Sequence, residues 1–164
     1  MKKIGLLSDT HGWLNPAVFE FFKDCDEIWH AGDVGSFDVI DQLQALAPLR
    51  VVAGNIDGSD MRRMYGEVLR FRCEEIEVLL KHIGGYPGRY DPSIRGSLMA
   101  NPPQLFVCGH SHILKIKYDK TLGTLCINPG ACGYHGWQKE RTIVRLTIEG
   151  NKFTDCDVIT LNNS

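Results

Sequence analysis

Residues 4–12 read Ile-Gly-Leu-Leu-Ser-Asp-Thr-His-Gly, an apolar run that ends abruptly in a carboxylate and an imidazole. The apolar part has the length of a buried β-strand and is far too short to span a membrane. Two more strand patterns follow at 27–30 and 49–53, with helical periodicity over 16–23 and 37–46 between them. This strand–helix–strand–helix–strand order indicates βαβ units and a parallel sheet.

The C-terminal half is dominated by short strand patterns. They lie at 67–73, 76–81, 104–108, 114–118, 125–128, 142–148 and 153–159. The last two alternate apolar and polar residues around Glu149-Gly150-Asn151, which predicts a hairpin. One helix is predicted at 91–100, ended by Asn101-Pro102-Pro103. We therefore predict an α/β fold of two packed mixed β-sheets flanked by helices, an αββα sandwich, in a single domain over 1–164.

Composition limits the classes of function. The chain has 164 residues, 43% hydrophobic and 23% charged, with a formal net charge of −2. This charge gives no broad positive field, so we expect no stable nucleic-acid binding, whereas a small phosphate ester or nucleotide remains a suitable substrate. The six cysteines form no CxxC pair, and neither a signal peptide nor a membrane span is recognisable. We expect a cytoplasmic protein with reduced thiols, and the sequence leaves a homo-oligomer open.

Polar side chains follow five of the predicted strands, often next to a glycine. They are Asp9, His11, Asp33, Asn55, His82, His110 and His112. Ligands of open α/β sheets bind beyond the carboxyl ends of the strands, so the first four residues are expected on one rim. Strand alternation would bring both rings of the His-x-His pair to one face and point Ser111 away. Each motif alone is also typical of an ordinary turn, and only their coincidence indicates a metal site with mixed nitrogen and oxygen ligands.

The ordered motifs DxH, GD, GN, H and GHxH resemble the signature of the calcineurin-like metallophosphoesterase superfamily. Within it, the chain is most similar to the small YfcE-like phosphodiesterases. The resemblance covers nearly the whole chain and implies two divalent metal ions, with Mn favoured and Fe, Zn, Ni or Co as alternatives. It implies phosphate-ester hydrolysis, a phosphodiester favoured over a monoester, by a hydroxide that bridges the metals and attacks phosphorus.

The resemblance also implies a role for each motif residue. Asp9, His11 and His112 would bind the first metal. Asn55, His82 and His110 would bind the second. Asp33 would bridge the two ions, which lie about 3.5–4 Å apart in such centres.

One position departs from the wider superfamily, in which a histidine that helps to protonate the leaving group often follows the asparagine. Here that position is Ile56. Members of the YfcE-like branch often lack this histidine as well. The departure favours activated or cyclic diesters over esters with poor leaving groups. His135 could replace the missing acid or could be an ordinary loop histidine, and Arg89 could contact a phosphate oxygen or could be an ordinary surface arginine. His30 could support Asp33 or belong to the core.

The alternative function is a non-catalytic metal-binding scaffold. A retromer coat subunit has the same fold without effective catalysis and binds partner proteins. Replaced ligands would be expected in such a protein, whereas all seven positions here carry side chains able to bind a metal. The sequence therefore favours an enzyme.

Overall fold

The structure is a computed structural model that describes residues 1–134, 136 and 140–161. The strands within these residues are β1 (Lys2–Leu7), β2 (Glu27–His30), β3 (Leu49–Val51), β4 (Val68–Cys73), β5 (Ile76–Lys81), β6 (Gly85–Tyr86), β7 (Arg89–Tyr90), β8 (Leu105–Val107), β9 (Lys115–Asp119), β10 (Thr124–Asn128), β11 (Arg141–Glu149) and β12 (Lys152–Leu161). The helices are α1 (Ala17–Phe22), α2 (Phe37–Gln44), α3 (Ser59–Tyr65) and α4 (Pro92–Ala100).

Two five-stranded mixed sheets make up the fold. The first has the order β12-β11-β1-β2-β3, in which β1, β2 and β3 are parallel and β11 runs antiparallel to β1. The second has the order β4-β5-β8-β10-β9, in which β5, β8 and β10 are parallel and the two edge strands are antiparallel. Each sheet thus has three parallel strands whose carboxyl ends meet at one edge. This arrangement confirms the predicted fold.

Apolar side chains fill three layers. The central layer packs the two sheets together through residues such as Trp29, Val107 and Leu146. A second layer seats α1 and α2 on the first sheet, and a third seats α4 on the second sheet through Leu98. The inner strand β11 is buried on both faces, with Ile143 in the layer that seats α1 and α2 and Val144 in the central layer, whereas the edge strand β12 is mostly exposed and fully buries only Leu161.

Two elements differ from the sequence expectation. Helix α3 was not predicted, because it is short and buries only Met61, which gives a weak helical pattern. The β6–β7 hairpin was also not predicted, because its strands have two residues each around Pro87-Gly88. None of the described helices is long and apolar enough to cross a membrane.

The helices begin in different ways. Asn15, one residue before the N-cap position of α1, accepts a 2.9 Å hydrogen bond from the N–H of Ala17. Ser36 occupies the N-cap position of α2 with extended backbone and makes no side-chain cap bond. The α4 start is the more typical one, with the Asp91 carboxylate accepting from the N–H of Ser93 and proline in the first turn.

Candidate metal centre

The seven polar residues that follow the strands lie together at the shared edge of the two sheets. Asp9, Asp33 and Asn55 follow β1, β2 and β3 of the first sheet. His82 and His110 follow β5 and β8 of the second. Because the parallel strands of both sheets end at this edge, residues more than 100 positions apart come into contact, as in the 3.1 Å bond from the His110 N–H to Asp9 Oδ2.

Asp9 is fully buried at the centre of the cluster. Its Oδ2 atom accepts hydrogen bonds from Ser8 Oγ at 2.6 Å and from the His110 backbone. Its Oδ1 atom lies 3.2 Å from His112 Nε2, 3.8 Å from His11 Nε2 and 3.7 Å from His82 Nε2. One carboxylate oxygen is therefore held by the protein, and the other faces three imidazoles.

Asp33 repeats this division between its two oxygens. Its Oδ1 atom accepts from the N–H of Ile56 at 3.1 Å. Its Oδ2 atom lies 3.2 Å from His82 Nε2 and 3.5 Å from His11 Nε2. The free oxygen of Asp33 thus lies between a histidine of the first predicted ligand group and one of the second.

Asn55 and His110 form the outer side of the cluster. Asn55 Oδ1 lies 3.1 Å from His110 Nδ1, and the rings of His110 and His82 pack edge to face with centroids 5.3 Å apart. Both Asn55 and His110 are exposed, whereas His82 is buried. This side of the cluster is therefore open to solvent and to a substrate.

His82 gives the clearest sign that a cation belongs here. Its Nδ1 lies 2.8 Å from the carbonyl oxygen of Ala31, which can only accept, so Nδ1 carries a proton. When the His82 ring is neutral, its Nε2 atom therefore has a lone pair that faces the carboxylates of Asp9 and Asp33. Neither His82 Nε2 nor Asp9 Oδ1 has a hydrogen bond of acceptable geometry among the described residues, although both are buried. Lone pairs that face one another in a buried site fit a metal ion between them.

The pKa shifts in the metal-free cluster also indicate an uncompensated negative charge that a cation would neutralise. Burial raises the pKa of Asp9, but the neighbouring imidazoles of His11, His112 and His82 lower it by more, so the carboxyl is ionised. Burial lowers the pKa of His82, but the neighbouring Asp33 and Asp9 raise it more. Without a metal, a proton on His82 compensates part of the buried negative charge. No lysine or arginine of the described residues forms an ion pair with either carboxylate.

The backbone of the cluster is in an unusual conformation. Positive φ angles occur at Asp9 (55°), His11 (47°), Asp33 (56°), His110 (74°) and His112 (64°), none of which is glycine. Such angles cost of order 1–3 kcal/mol each and persist where surrounding structure requires them. The sequence predicted that His110 and His112 would extend a strand, and this prediction is wrong, because both residues have positive φ angles. The turn after β8 directs the two rings toward different partners, His82 and His11.

Buried polar residues hold these loops in place. Asp57 accepts backbone N–H bonds from Val34 (3.1 Å), Gly35 (2.9 Å) and Gly54 (2.8 Å), and so ties the loop after β2 to the loop after β3. His30 is fully buried, accepts from the N–H of Gly32 at 3.0 Å, and lies 3.0 Å from Thr10 Oγ1. Burial lowers the pKa of His30 to about 4, so the ring is neutral. Both residues are therefore buried and hydrogen-bonded to the loops that carry the predicted ligands.

Two glycines allow the loops to approach this closely. A Cβ on Gly54 would overlap the Asp33 carboxylate and backbone, and a Cβ on Gly109 would overlap Ser8 Oγ and lie 2.8 Å from Asp9 Oδ2. The glycines beside the predicted ligands are thus required by packing against the carboxylates. Neither has a positive φ.

The two other candidate residues, Arg89 and His135, are not part of the described cluster. Arg89, on β7, lines a neighbouring cavity and is exposed. His135 lies outside the described residues. Ser111 accepts a bond from the side-chain amide of Asn128 and is not paired with a base among the residues that the structure describes, which gives no support to a role as a nucleophile. Sequence reasoning missed Lys115, which lines the same cavity as Arg89, because a lysine on an exposed strand face carries no distinguishing pattern.

Within the described part of the chain, two groups of side chains could each hold a metal ion: Asp9 with His11 and His112, and Asp9 with Asp33 and His82. A centre of carboxylates and imidazoles at the joined ends of two mixed sheets defines a metal-binding hydrolase of the α/β sandwich class. The chain belongs to the calcineurin-like phosphoesterase superfamily, whose domain model matches residues 1–151. Membership implies divalent metal ions, although it leaves their identity and number open.

Known proteins agree with this assignment. The chain is 35% identical to a probable metallophosphoesterase from Methanothermobacter thermautotrophicus, over 95% of this chain and 91% of the relative. Two solved structures share the fold at lower identity. Wild-type Vps29 from Entamoeba histolytica, complexed with Zn²⁺, has a TM-score of 0.76 at 16% identity, covering 98% of this chain and 99% of that one. An archaeal phosphodiesterase has a TM-score of 0.72 at 23% identity, covering 97% and 99%.

Proposed function

We propose that this protein is a dinuclear-metal-dependent phosphoesterase that hydrolyses phosphodiesters in preference to monoesters. The observation that carries the proposal is the pair of buried carboxylates, Asp9 and Asp33, each with one oxygen fixed by hydrogen bonds and the other facing imidazole nitrogens. The archaeal phosphodiesterase of the same fold supports the choice of a diester.

The ligand set divides between two ions. Asp9, His11 and His112 would hold one, because the free oxygen of Asp9 is nearest to His112 Nε2, at 3.2 Å. Asn55, His82 and His110 would hold the other. Asp33 would bridge them, because its Oδ2 lies within 3.5 Å of a histidine from each set. Carboxylate, imidazole and amide ligands suit Mn²⁺, with Fe, Zn, Ni and Co as alternatives.

Two bound divalent ions would supply a water activated at neutral pH and positive charge for the phosphoryl oxygens. The chain's own contribution is to orient the ligands. The Ala31 carbonyl fixes the tautomer of His82, and the N–H groups of His110 and Ile56 hold the carboxylates. Asn55 offers an oxygen without adding negative charge near an incoming phosphate.

The side chain at position 56 supports the preference for diesters with good leaving groups. Ile56 follows Asn55 in the chain, is 46% exposed and has no side-chain proton to donate. A leaving alcohol of high pKa needs a proton in the transition state, whereas an activated or cyclic ester does not. We therefore expect higher turnover with bis-p-nitrophenyl phosphate than with an unactivated monoester.

The test is hydrolysis of bis-p-nitrophenyl phosphate by metal-stripped protein supplied with Mn²⁺, Ni²⁺, Co²⁺ or Zn²⁺. Loss of a residue that merely orients a ligand costs about 10–100-fold in metal affinity or activity, so Asp33→Ala should cost at least about 100-fold. Asp60→Ala is the matched control, because this carboxylate is exposed on α3, and it should retain wild-type turnover. Bound metal is measured in each variant.

A metal-binding scaffold is the second candidate, favoured by the likeness in fold to Vps29. Metal binding does not separate the two functions, since the Vps29 structure itself contains Zn²⁺. Turnover does. Folded, metal-loaded protein that hydrolyses neither the diester nor p-nitrophenyl phosphate with any of the four metals would favour the scaffold.

A further inference from the structure

A cavity of about 400 Å³ opens beside the metal centre. Its walls come from the β6–β7 hairpin, the turn after β8 and the start of β9. Gly109 and His110 form the wall shared with the metal centre, and His110 is in contact with Asn55. Its volume is in the range of small-molecule sites. A group bound in this cavity would therefore be adjacent to a phosphate held at the metals.

The charge of the cavity is positive. Arg89 and Lys115 both line it, and neither forms an ion pair with a carboxylate in the part of the chain that the structure describes. The one acidic residue in the lining, Asp91, is already engaged, because its Oδ2 accepts from both the N–H and the hydroxyl of Ser93. Two cations are thus available to an anion from outside.

The fold holds both cations at the cavity. Arg89 lies opposite Tyr86 in the β6–β7 hairpin, and the next residue, Tyr90, anchors the hairpin through a 2.6 Å bond to Asp119. Lys115 Nζ lies 4.1 Å from the centroid of the Tyr86 ring, a cation–π contact that restricts the lysine side chain. Tyr86 and Ile113 are 41% and 48% exposed and give the cavity an apolar surface.

We propose that this cavity binds one ester arm of the substrate, and that this arm carries a second phosphate on a sugar-sized organic group. The inference rests on the proposed phosphodiesterase function and specifies its substrate class. Arg89 would bind two oxygens of the second phosphate with its planar fork, and Lys115 would add a second positive charge. The apolar surface of Tyr86 and Ile113 would cover the organic part of the arm.

The test uses thymidine 3′,5′-bisphosphate and thymidine 5′-monophosphate as a matched pair that differs by one phosphate. Calorimetry with the Mn²⁺-loaded protein should show the bisphosphate bound about tenfold more tightly, as expected for charge-assisted bonds to two cations that are only partly shielded from water. Arg89→Gln and Lys115→Gln should each remove most of this advantage. Lys117→Gln should retain it, because Lys117 is exposed on the same strand but does not line the cavity.

Turnover separates this proposal from the one it rests on. The substrates are thymidine 5′-(p-nitrophenyl phosphate) with and without a 3′-phosphate, which share one leaving group. Hydrolysis of both at equal kcat/KM, with equal binding of the two nucleotides, would overturn the subsite and leave the phosphodiesterase intact. Tighter binding of the bisphosphate without any hydrolysis would support the subsite and count against the enzyme. Unchanged preference in both cavity variants would also overturn the subsite.

Discussion

Asp57 is the residue whose loss should most clearly show how the metal centre is positioned. Its buried carboxylate accepts three backbone N–H groups, those of Val34, Gly35 and Gly54. In Asp57→Ala all three donors lose their partner. Two of these donors, Val34 and Gly54, make buried hydrogen bonds, whereas Gly35 is exposed and its N–H can bond to water. A buried donor left unsatisfied costs about 1–3 kcal/mol, so the free energy of unfolding should fall by at least about 2 kcal/mol.

The conservative variant should cost less for a geometric reason. In Asp57→Asn the side-chain oxygen can remain at the position of Oδ2 and accept from Val34 and Gly54. The amide nitrogen then faces the N–H of Gly35. The hydrogen bond to Gly35 is lost, and two N–H donors point at each other. We expect a decrease of about 0.5–1.5 kcal/mol, the net contribution of one hydrogen bond, which lies between wild type and alanine.

Urea and thermal unfolding of the metal-free proteins measure these costs. For a chain of this length about 1 kcal/mol corresponds to roughly 2–4 °C, so Asp57→Ala should lower Tm by at least about 4–8 °C. Both variants should also bind Mn²⁺ more weakly, because the two loops carry Asp33 and Asn55. Asp60→Asn, on an exposed carboxylate, serves as the control. If Asp57→Ala unfolds and binds metal like Asp60→Asn, the positioning role of Asp57 is refuted.

Two further predictions concern the same site. Gly109→Ala places a Cβ against Ser8 Oγ and should cost about 1–3 kcal/mol and weaken metal binding. Gly58→Ala, where a Cβ meets nothing within 4 Å, should be within about 0.5 kcal/mol of wild type; equal Mn²⁺ titrations and unfolding curves for the two variants would contradict the packing argument. Burial lowers the pKa of His82 and the two adjacent carboxylates raise it more, so in the metal-free protein the ring holds its proton to higher pH than a free histidine. Metal must displace that proton, and its affinity should therefore increase as pH rises through this pKa, with proton release visible as buffer-dependent binding enthalpy. A metal affinity independent of pH over about pH 6–8, which spans the ordinary histidine pKa, would show that the ring is already neutral.

The residues of the metal centre were predictable in identity more than in arrangement. Each apolar run that ends in Asp, Asn or His marks the carboxyl end of a strand, and local sequence shows this directly. The contact between His110 and Asn55 depends on which strands are neighbours across two sheets, and no local pattern contains that information. The conformation of the His-x-His segment was predicted wrongly for a related reason, since its positive φ angles are imposed by contacts with Asp9 and His82.

The residues of the cavity beside the metal centre were likewise less predictable in position than in type. Arg89 was noticed as a candidate, yet only the hairpin that pairs it with Tyr86 directs it to a cavity. Lys115 was not noticed at all, because its partner Tyr86 lies on a different strand of the fold.

The sequence alone determined the α/β class, the strand order along the chain and the donor chemistry of the site, because hydrophobic periodicity and residue type are local properties. The tertiary structure decided which strands are neighbours, how each carboxylate divides its two oxygens between protein and site, and where the two unpaired cations lie. Those features arise from contacts between residues far apart in the chain. Packing and hydrogen-bond geometry select such contacts only when the two sheets are brought face to face.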